Sequence, residues 1–306
     1  MNYKLLTTSI LLLSMLLNSG AMENQKQVIY LSGKGYKNTK TWEFYCTGGR
    51  NSGYWTTIEV PSCWEQQGFG NYEYGRSRYS YGPDYKYAGE KGMYKLNFMI
   101  PAGWKGKVVN IVFDGSMTDT EVKINGKLAG DIHQGAFYQF KYNITDKIIF
   151  GQNNLLEVTV SKLSADESVN RAERYGDYWN FGGLFRPVYL EAFPEEHIER
   201  VAIDAGADGS FSIDLFPVNL SGKRTLYAEI VDAEGRTAGS SILTASPGDS
   251  LLTMKCKVTE PALWTSETPN LYKVNIYLRS GKNTLYQITQ KFGFRTIEVR
   301  HETEYI

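Results

Sequence analysis

Hydrophobic and polar residues alternate along most of this chain with a period of two, the pattern of a strand with one buried face. Turn residues interrupt the alternation at intervals of roughly 8–12 residues, a spacing typical of sandwiches and barrels. No helical period of three turns or more is found after residue 21. The sequence therefore predicts an all-β protein, with strands in KVVNIVFDG, TEVKINGKLAG, NLLEVTVSKL, RPVYLEAF, GSFSIDLFPVN, TLYAEIVDAEG, LLTMKCKVTE, LYKVNIYLRSG and LYQITQKFGF.

Turn chemistry supports this interpretation. Asn125-Gly126 lies between two strand-like runs and predicts a type I′ hairpin, because both central residues of that turn need a positive φ. The segments Asp232–Gly235 and Ser280-Gly281 predict further turns.

One boundary interrupts the strand series. Pro194 and two acids stand in AFPEEHIERV, and a new series begins near Ile198. Residues 22–194 are too long for a simple immunoglobulin-type sandwich and suit a larger jelly roll with long loops. Residues 197–299 match the roughly 100 residues of an immunoglobulin-like sandwich, without its Cys…Trp…Cys hallmark. We therefore predict two β-sandwich domains.

The first 21 residues predict a secretory signal peptide. Lys4 supplies a basic start, and Leu5 to Leu17 form an apolar run of 13 residues that is too short to span a bilayer. Small residues at Ser19 and Ala21 predict cleavage after Ala21. The alternative is a disordered or membrane-anchoring tail. We expect a secreted or periplasmic protein.

Composition narrows the class of partner. The 33 basic residues balance the 33 acidic ones, so the chain lacks the basic surface of a protein that binds nucleic acid or anionic lipid. Aromatic residues make up 14% of the chain, and their faces suit stacking against sugars. The alternative is that these rings only fill β-sheet cores.

The three cysteines form no zinc or redox motif, because no CxxC pair occurs. We expect the thiols of Cys46, Cys63 and Cys256 to be mostly buried. Export would also permit a Cys46–Cys63 disulfide.

No complete catalytic motif is present in the sequence. His133, His197 and His301 are far apart and read as surface or core residues. Glycoside hydrolysis needs two carboxyl groups that face each other across a pocket, and the sequence alone does not pair them. Glu65 and Asp177 have the most unusual neighbours, each close to a Trp, although an acid in such a place is more often structural.

Several motifs together resemble the N-terminal part of glycoside hydrolase family 2. The longest are YWTTIEVPSCWEQQGFG and GMYKLNFMIPAGWKGKVVNIVFDGSMTDTEVKINGKLAG. Further matches lie at Gly151 to Val160, at Trp179 to Arg186, in LWTSETPNLYKVNIYL and FGFRTIE, and at Gly135, Phe137, Phe140, Asn143, Ile144 and Thr145. The resemblance covers roughly residues 40–300, and the β-galactosidase-like branch is the most similar.

The resemblance implies a galactose-binding-domain-like jelly roll followed by an immunoglobulin-like sandwich. It also implies a catalytic TIM barrel, which this sequence lacks, so residues 300–306 would begin a linker to it and no catalytic residue is expected in the chain. The chain would be inactive alone.

The resemblance also implies site residues. Asp177, Trp179 and Asn71 would contact substrate, with Asp177 sometimes beside a bound alkali cation, and no other cofactor is implied. Gly182 and Gly183 would allow close backbone approach, and Arg186 would pair with a carboxylate.

Three functions remain open from the sequence. The chain would be the non-catalytic front part of a secreted β-galactosidase-like enzyme, a free-standing carbohydrate-binding module that uses the Tyr-rich loop 72–87, or a structural β-sandwich protein. The expected ligand is a carbohydrate with a terminal β-linked sugar, in the first instance a galactoside. The missing barrel and a second copy of the chain are the expected protein partners; no nucleic acid or membrane partner is expected.

Overall fold

The computed structural model describes residues 24–298, so the predicted signal peptide (1–21) and linker (300–306) lie outside the described residues. Of the described residues, 49% are in strands and 7% in helices, which confirms the predicted all-β fold. The helices are α1 (Ser77–Tyr81) and α2 (Glu167–Glu173), with 3₁₀ turns at Trp64–Gln67 and Ala102–Trp104. No helix in residues 24–298 is both long and apolar enough to cross a membrane.

The chain divides into two compact units. The N-terminal unit is Gln27–Ala192, and the C-terminal unit comprises residues 24–26 and 193–298. Asn24 belongs with the second unit because its carbonyl accepts a hydrogen bond from the Gln287 N–H and its amide donates to the Thr284 carbonyl. The domain limits expected from the sequence, 22–194 and 197–299, stay a prediction.

The N-terminal unit is a β-sandwich with one small additional sheet. Its sheets have the orders β1-β12-β6-β9, β3-β2-β5-β10-β7-β8 and β11-β4. The strands are β1 (Gln27–Tyr30), β2 (Lys40–Cys46), β3 (Trp55–Val60), β4 (Glu73–Tyr74), β5 (Lys91–Met99), β6 (Val108–Phe113), β7 (Asp119–Ile124), β8 (Lys127–Leu128), β9 (Phe140–Asn143), β10 (Asn153–Ser161), β11 (Trp179–Asn180) and β12 (Val188–Phe193).

Period-two burial builds the core of this sandwich. Along β10, every second side chain faces inward, including Leu156, Val158 and Val160. Aromatic rings fill the space between the sheets: Phe44 lies 4.8 Å from Tyr94 and 6.3 Å from the fully buried Trp64, between ring centroids. The Trp64 turn is therefore fixed to the core by its own side chain.

The predicted hairpin at Asn125-Gly126 is confirmed. It joins β7 to β8 with Ile124 opposite Lys127, and Asn125 and Gly126 have φ values of 51° and 78°. The Asn125 side chain also accepts a hydrogen bond from the Leu155 N–H, which ties the turn to β10.

The C-terminal unit is a second sandwich, with sheet orders β13-β14-β17 and β16-β15-β18-β19. Alternating residues of β14 and β18, such as Ile213 and Ile276, are fully buried. Its strands are β13 (His197–Ala205), β14 (Ser210–Val218), β15 (Arg224–Val231), β16 (Thr237–Ala245), β17 (Leu252–Lys257), β18 (Tyr272–Ser280) and β19 (Asn283–Phe292).

A charged clamp joins the start of this unit to β15. Glu196 accepts hydrogen bonds from Arg224 Nε at 2.6 Å and Nη2 at 2.7 Å, and from the Ser221 hydroxyl at 2.6 Å. These donors, Arg224 first, lower the pKa of Glu196 below its ordinary value of 4.5. The bidentate geometry holds the carboxylate in its charged form.

We expect Glu196→Gln to lower the melting temperature of the C-terminal unit by a few degrees at pH 7. Because the folded-state pKa is depressed, the stabilisation is present above about pH 4.5 and disappears as the pH falls through the folded-state value. Thermal unfolding of both proteins should therefore show a difference in melting temperature that shrinks between pH 5 and 3. A difference that does not change with pH would contradict this role.

Candidate functional site

The small sheet β4–β11 carries an exposed group of aromatic side chains. Trp179 pairs with Tyr74 across the two strands, and their ring centroids are 5.3 Å apart. The Trp179 ring also lies 4.7 Å from that of Tyr72. Trp179 and Tyr72 remain 48% and 50% exposed, so both present ring surface to solvent. We call Tyr72, Tyr74, Trp179 and the nearby Asp177 the aromatic corner.

The Asp177 carboxylate of this corner is open to solvent. Its Oδ2 lies 3.7 Å from Arg76 Nη1, and the two side chains are 64% and 56% exposed. An ion pair this exposed contributes little to stability. The carboxylate can therefore exchange its partner for a ligand hydroxyl at little cost.

Within residues 24–298 the described partners of the Arg186 guanidinium are backbone carbonyls, and the expected carboxylate is not among them. Its guanidinium donates to the backbone carbonyls of Phe137 at 2.9 Å and Asp114 at 3.3 Å, and it lies over the Phe185 ring. Carbonyls of neighbouring loops compete for Arg side chains, and sequence patterns do not reveal this. Arg186 does brace the fold, as expected, by a different contact.

Asn71 precedes the aromatic corner, but its polar groups are engaged inside the protein. Its N–H donates to Glu90 at 2.8 Å, its side-chain amide donates to the same carboxylate at 3.4 Å, and its carbonyl accepts from Lys162. The structure thus brings Trp179 and Tyr72 together, whereas the polar groups of Asn71 contact Glu90 and Lys162. The assignment of Asp177, Trp179 and Asn71 to substrate binding stays a prediction.

Beneath the corner lies a buried ionic cluster formed by Lys162, Glu65, Glu73 and Glu90. Lys162 Nζ is 3.0 Å from Glu65, 3.1 Å from Glu90 and 4.0 Å from Glu73, and the Lys162 side chain is fully buried. One ammonium group therefore connects the Trp64 turn, β4 and the start of β5. The cluster is too enclosed for its carboxylates to reach a sugar, so Glu65 is a structural acid.

The pKa values of two acids of the cluster, Glu65 and Glu90, are shifted in opposite directions. Burial raises the pKa of Glu65, against the opposing effects of Lys162 and of the Gly182 N–H, which donates to the carboxylate at 3.0 Å. Burial also acts on Glu90, but the Asn71 N–H and Lys162 outweigh it and lower the pKa of that carboxyl. Glu90 thus holds its negative charge opposite Lys162 more firmly than Glu65 does.

The sequence contains a pattern that predicts the burial of Lys162. Continuing the period-two burial of β10 by one step, from Leu156 through Val158 and Val160, places Lys162 on the buried face. A lysine at such a position needs buried acids to compensate its desolvation. The alternation could therefore have identified the ionic cluster.

Three glycines leave room for the Trp64 indole. A Cβ at Gly182 would lie 2.1 Å from the ring, one at Gly92 2.7 Å, and one at Gly70 2.7 Å from its Nε1. Gly183 adopts a φ of 122°, and a Cβ there would meet the Ser62 carbonyl at 2.8 Å. The expected close approach at Gly182 and Gly183 is thus confirmed, and Trp64 is the side chain that requires it at Gly182.

Arg174 fixes the segment that leads into β11, and the sequence analysis missed it. The residue is only 2% exposed and donates from Nε to the Thr118 hydroxyl at 2.9 Å and from Nη1 to the Phe181 carbonyl at 2.9 Å. Thr118 lies 56 positions away and Phe181 is a backbone contact beyond Trp179, so no periodic pattern of side chains points to them. They orient the chain on either side of Asp177.

His133 and His197 serve packing, and the cysteines form no disulfide. The His133 ring stacks on Phe140 at 3.7 Å, and His197 is buried against Phe193; His301 lies outside the described residues. Cys46, Cys63 and Cys256 are free thiols, so Cys46 and Cys63 form no disulfide. Burial raises the pKa of Cys63 to about 12, which makes it unreactive at neutral pH.

The alkali cation that the resemblance implies beside Asp177 stays a prediction. The charged group described next to its carboxylate is the Arg76 guanidinium, which would repel a cation. Within residues 24–298, no group of three or more His, Cys, Asp or Glu side chains is arranged to hold a metal ion.

Lys162→Met should destabilise the N-terminal unit by about 3–5 kcal/mol, because it leaves buried carboxylates without their counter-charge. Denaturant unfolding would measure this loss. Lys123→Met provides a matched control, since Lys123 pairs with Glu121 at 2.8 Å on the surface and its removal should change stability little. Equal effects of the two variants would refute a central role for the cluster.

Gly182→Ala should cost roughly 1–3 kcal/mol of stability, because the added methyl group overlaps the fully buried Trp64 ring. Gly89→Ala is the control, as a Cβ at Gly89 meets nothing within 4 Å. The two variants should therefore differ from each other in the midpoint of unfolding and in intrinsic fluorescence. If Gly182→Ala were as stable as Gly89→Ala, Trp64 would not require glycine there.

Two family models match the sequence. Residues 51–194 match "Glycosyl hydrolases family 2, sugar binding domain", and residues 196–295 match "Glycosyl hydrolases family 2". Similar curated proteins include a β-galactosidase of Halalkalibacterium halodurans, 28% identical over 86% of this chain and 26% of its own length. A putative β-glucuronidase of Formosa agariphila is 26% identical over 82% of this chain and 29% of its own.

Solved structures of related glycosidases have the same fold as this chain. A Bacteroides uniformis β-glucuronidase superposes with a TM-score of 0.67 and 26% identity over 88% of this chain and 32% of its own. A putative β-galactosidase from Bacteroides fragilis shares the fold, with a TM-score of 0.67 and 23% identity. The match covers 90% of this chain and 42% of that protein. The chain spans less than a third of the length of the curated relatives named above, and no TIM-barrel match lies within it. Matched by two models of one family over most of its sequence, the chain belongs to glycoside hydrolase family 2 and carries its N-terminal sugar-binding domain and the immunoglobulin-like domain that follows.

Proposed function

We propose that this chain is the substrate-facing N-terminal part of a secreted, β-galactosidase-like glycoside hydrolase. In this proposal the aromatic corner forms part of the rim of an active site whose catalytic carboxylates belong to another domain. The observation that carries the proposal is an exposed carboxylate, Asp177, two residues before the exposed Trp179, whose strand pairs with a strand that contributes Glu73 to the buried ionic cluster. Export would follow from the predicted signal peptide at residues 1–21.

The chemistry of the corner suits the terminal ring of a glycoside. A carboxylate accepts hydrogen bonds from sugar hydroxyls, and bonds to a charged acceptor are stronger than neutral ones. The Trp179 face offers an apolar surface to the C–H face of a pyranose. Galactosides fit the relatives named as β-galactosidases, although relatives named as β-glucuronidases have the same fold.

Preorganisation also supports the proposal. The strand that carries Trp179, β11, pairs with β4, and Glu73 of β4 belongs to the ionic cluster. The segment before Asp177 is held by the buried Arg174. A site held by buried contacts loses little entropy when it binds a ligand.

The test uses a chimera of residues 22–306 with the catalytic portion of the Halalkalibacterium halodurans β-galactosidase. Asp177→Asn should reduce kcat/KM by roughly ten- to a hundredfold, because a hydrogen bond to a charged group contributes about 1.5–3 kcal/mol. Its melting temperature should stay unchanged, since the Asp177–Arg76 pair is exposed.

Asp146→Asn is the matched control, because Asp146 is another exposed acid in an ion pair, with Lys147 at 2.8 Å. It should leave kcat/KM unchanged. A variant Asp177→Asn that loses thermal stability but keeps normal kcat/KM would show that Asp177 only braces the corner, and would refute the proposal.

A further inference from the structure

A recess lies at the loop that contains α1. It is an open cleft of about 490 Å³ lined by Arg78, Tyr79, Gly82, Pro83 and Tyr175. None of these residues belongs to the aromatic corner or to the ionic cluster. The cleft therefore has its own set of groups to offer a ligand.

Stacked tyrosines make the walls of the cleft rigid. The Tyr87 ring stacks on Tyr175 with centroids 5.0 Å apart and planes at 21°. The Tyr87 hydroxyl donates to the Gly75 carbonyl at 2.6 Å and accepts from the Arg78 N–H at 3.3 Å. These contacts fix both α1 and the position of Tyr175.

The next tyrosine links the loop to the interior. Tyr85 contacts the Tyr87 ring at 5.1 Å, and its hydroxyl donates to Glu73 at 3.1 Å. Glu73 also accepts from the Ala88 N–H. The loop is therefore anchored at Glu73, a member of the ionic cluster, and can hold a fixed shape before a ligand binds.

Two groups in the cleft have no ring-stacking or ion-pair partner among the described residues, although the Tyr175 hydroxyl on its wall donates to Glu167 at 3.4 Å. Tyr79 is 76% exposed, and no described aromatic ring stacks on it. Arg78 is the one charged residue of the lining, and no ion pair or side-chain hydrogen bond is described for its guanidinium. By contrast, the nearby Arg76 pairs with Asp177, and Arg171 pairs with Glu167.

We propose that this cleft binds an anionic sugar residue, with the pyranose ring on Tyr79 and its carboxylate or sulfate on the Arg78 guanidinium. A planar guanidinium matches both anions with two parallel hydrogen bonds. A neutral sugar would leave the only charge in the lining unused. The site is independent of the proposed function, since it would bind its ligand whether or not a catalytic domain follows the chain.

The experiment titrates the purified chain with three matched trisaccharides by isothermal calorimetry. They are a trigalacturonate, a sulfated galactotriose and a neutral galactotriose. We expect binding of at least one anionic ligand and at least tenfold weaker binding of the neutral one. Which anion binds more tightly identifies the natural group as a carboxylate or a sulfate.

Two variants locate the binding site. Arg78→Gln should weaken anionic binding by roughly ten- to a hundredfold, and Tyr79→Ala should weaken it as well. Arg236→Gln removes the same charge from the C-terminal unit, where Arg236 pairs with Asp232, and Tyr36→Ala removes a tyrosine that is 83% exposed elsewhere. Both controls should bind as the unmodified chain does, and circular dichroism should show all four variants folded.

Three results would overturn the proposal: no binding of either anionic ligand, equal binding of the neutral trisaccharide, or equal losses in Arg78→Gln and Arg236→Gln. The last result would indicate only a general attraction between charges. Because no turnover is measured, these outcomes are separate from the kinetic test of Asp177.

Discussion

The structure around the candidate site depends on one buried ammonium group. Lys162 Nζ lies within 3.1 Å of the carboxylates of both Glu65 and Glu90, with all three side chains essentially removed from water. Removing such charges from water is costly, and their mutual attraction offsets this only when the geometry is good and further hydrogen bonds are made. Here the backbone N–H groups of Asn71 and Gly182 supply those bonds. The loops around the site are therefore positioned by electrostatics as much as by packing.

This arrangement separates the acids of the domain into two classes. Glu65, Glu73 and Glu90 use their charge internally, whereas Asp177 keeps its charge in solvent. Only an exposed carboxylate can exchange a weak protein partner for a ligand. The same division applies to the aromatic residues, since Trp64 is fully buried and Trp179 is half exposed. The buried members hold the frame on which the exposed ones are displayed.

Local patterns predicted the fold well because β-strand burial is a local property. The alternation located the strands, and the positive-φ requirement located the turn at Asn125-Gly126. The site was harder, because its contacts join distant segments: Lys162 meets Glu65 across 97 positions, and Arg186 meets carbonyls rather than the expected carboxylate. Asn71 was singled out for its place in a loop, yet the direction of its amide depends on Glu90. Such pairings follow from the tertiary fold, and they cannot be predicted from local patterns in one sequence.

The contact between Trp64 and the glycines around it has a consequence for how this domain can evolve. Gly70, Gly92 and Gly182 come from three different segments, and each is confined by the same indole ring. While Trp64 is present, a larger residue at any of the three would clash with its ring, so their substitutions are coupled through one side chain. A lineage could escape only by first replacing Trp64 with a smaller residue and tolerating the cavity. The order of mutations, and not only their identity, thus limits which sequences can reach this fold from one another.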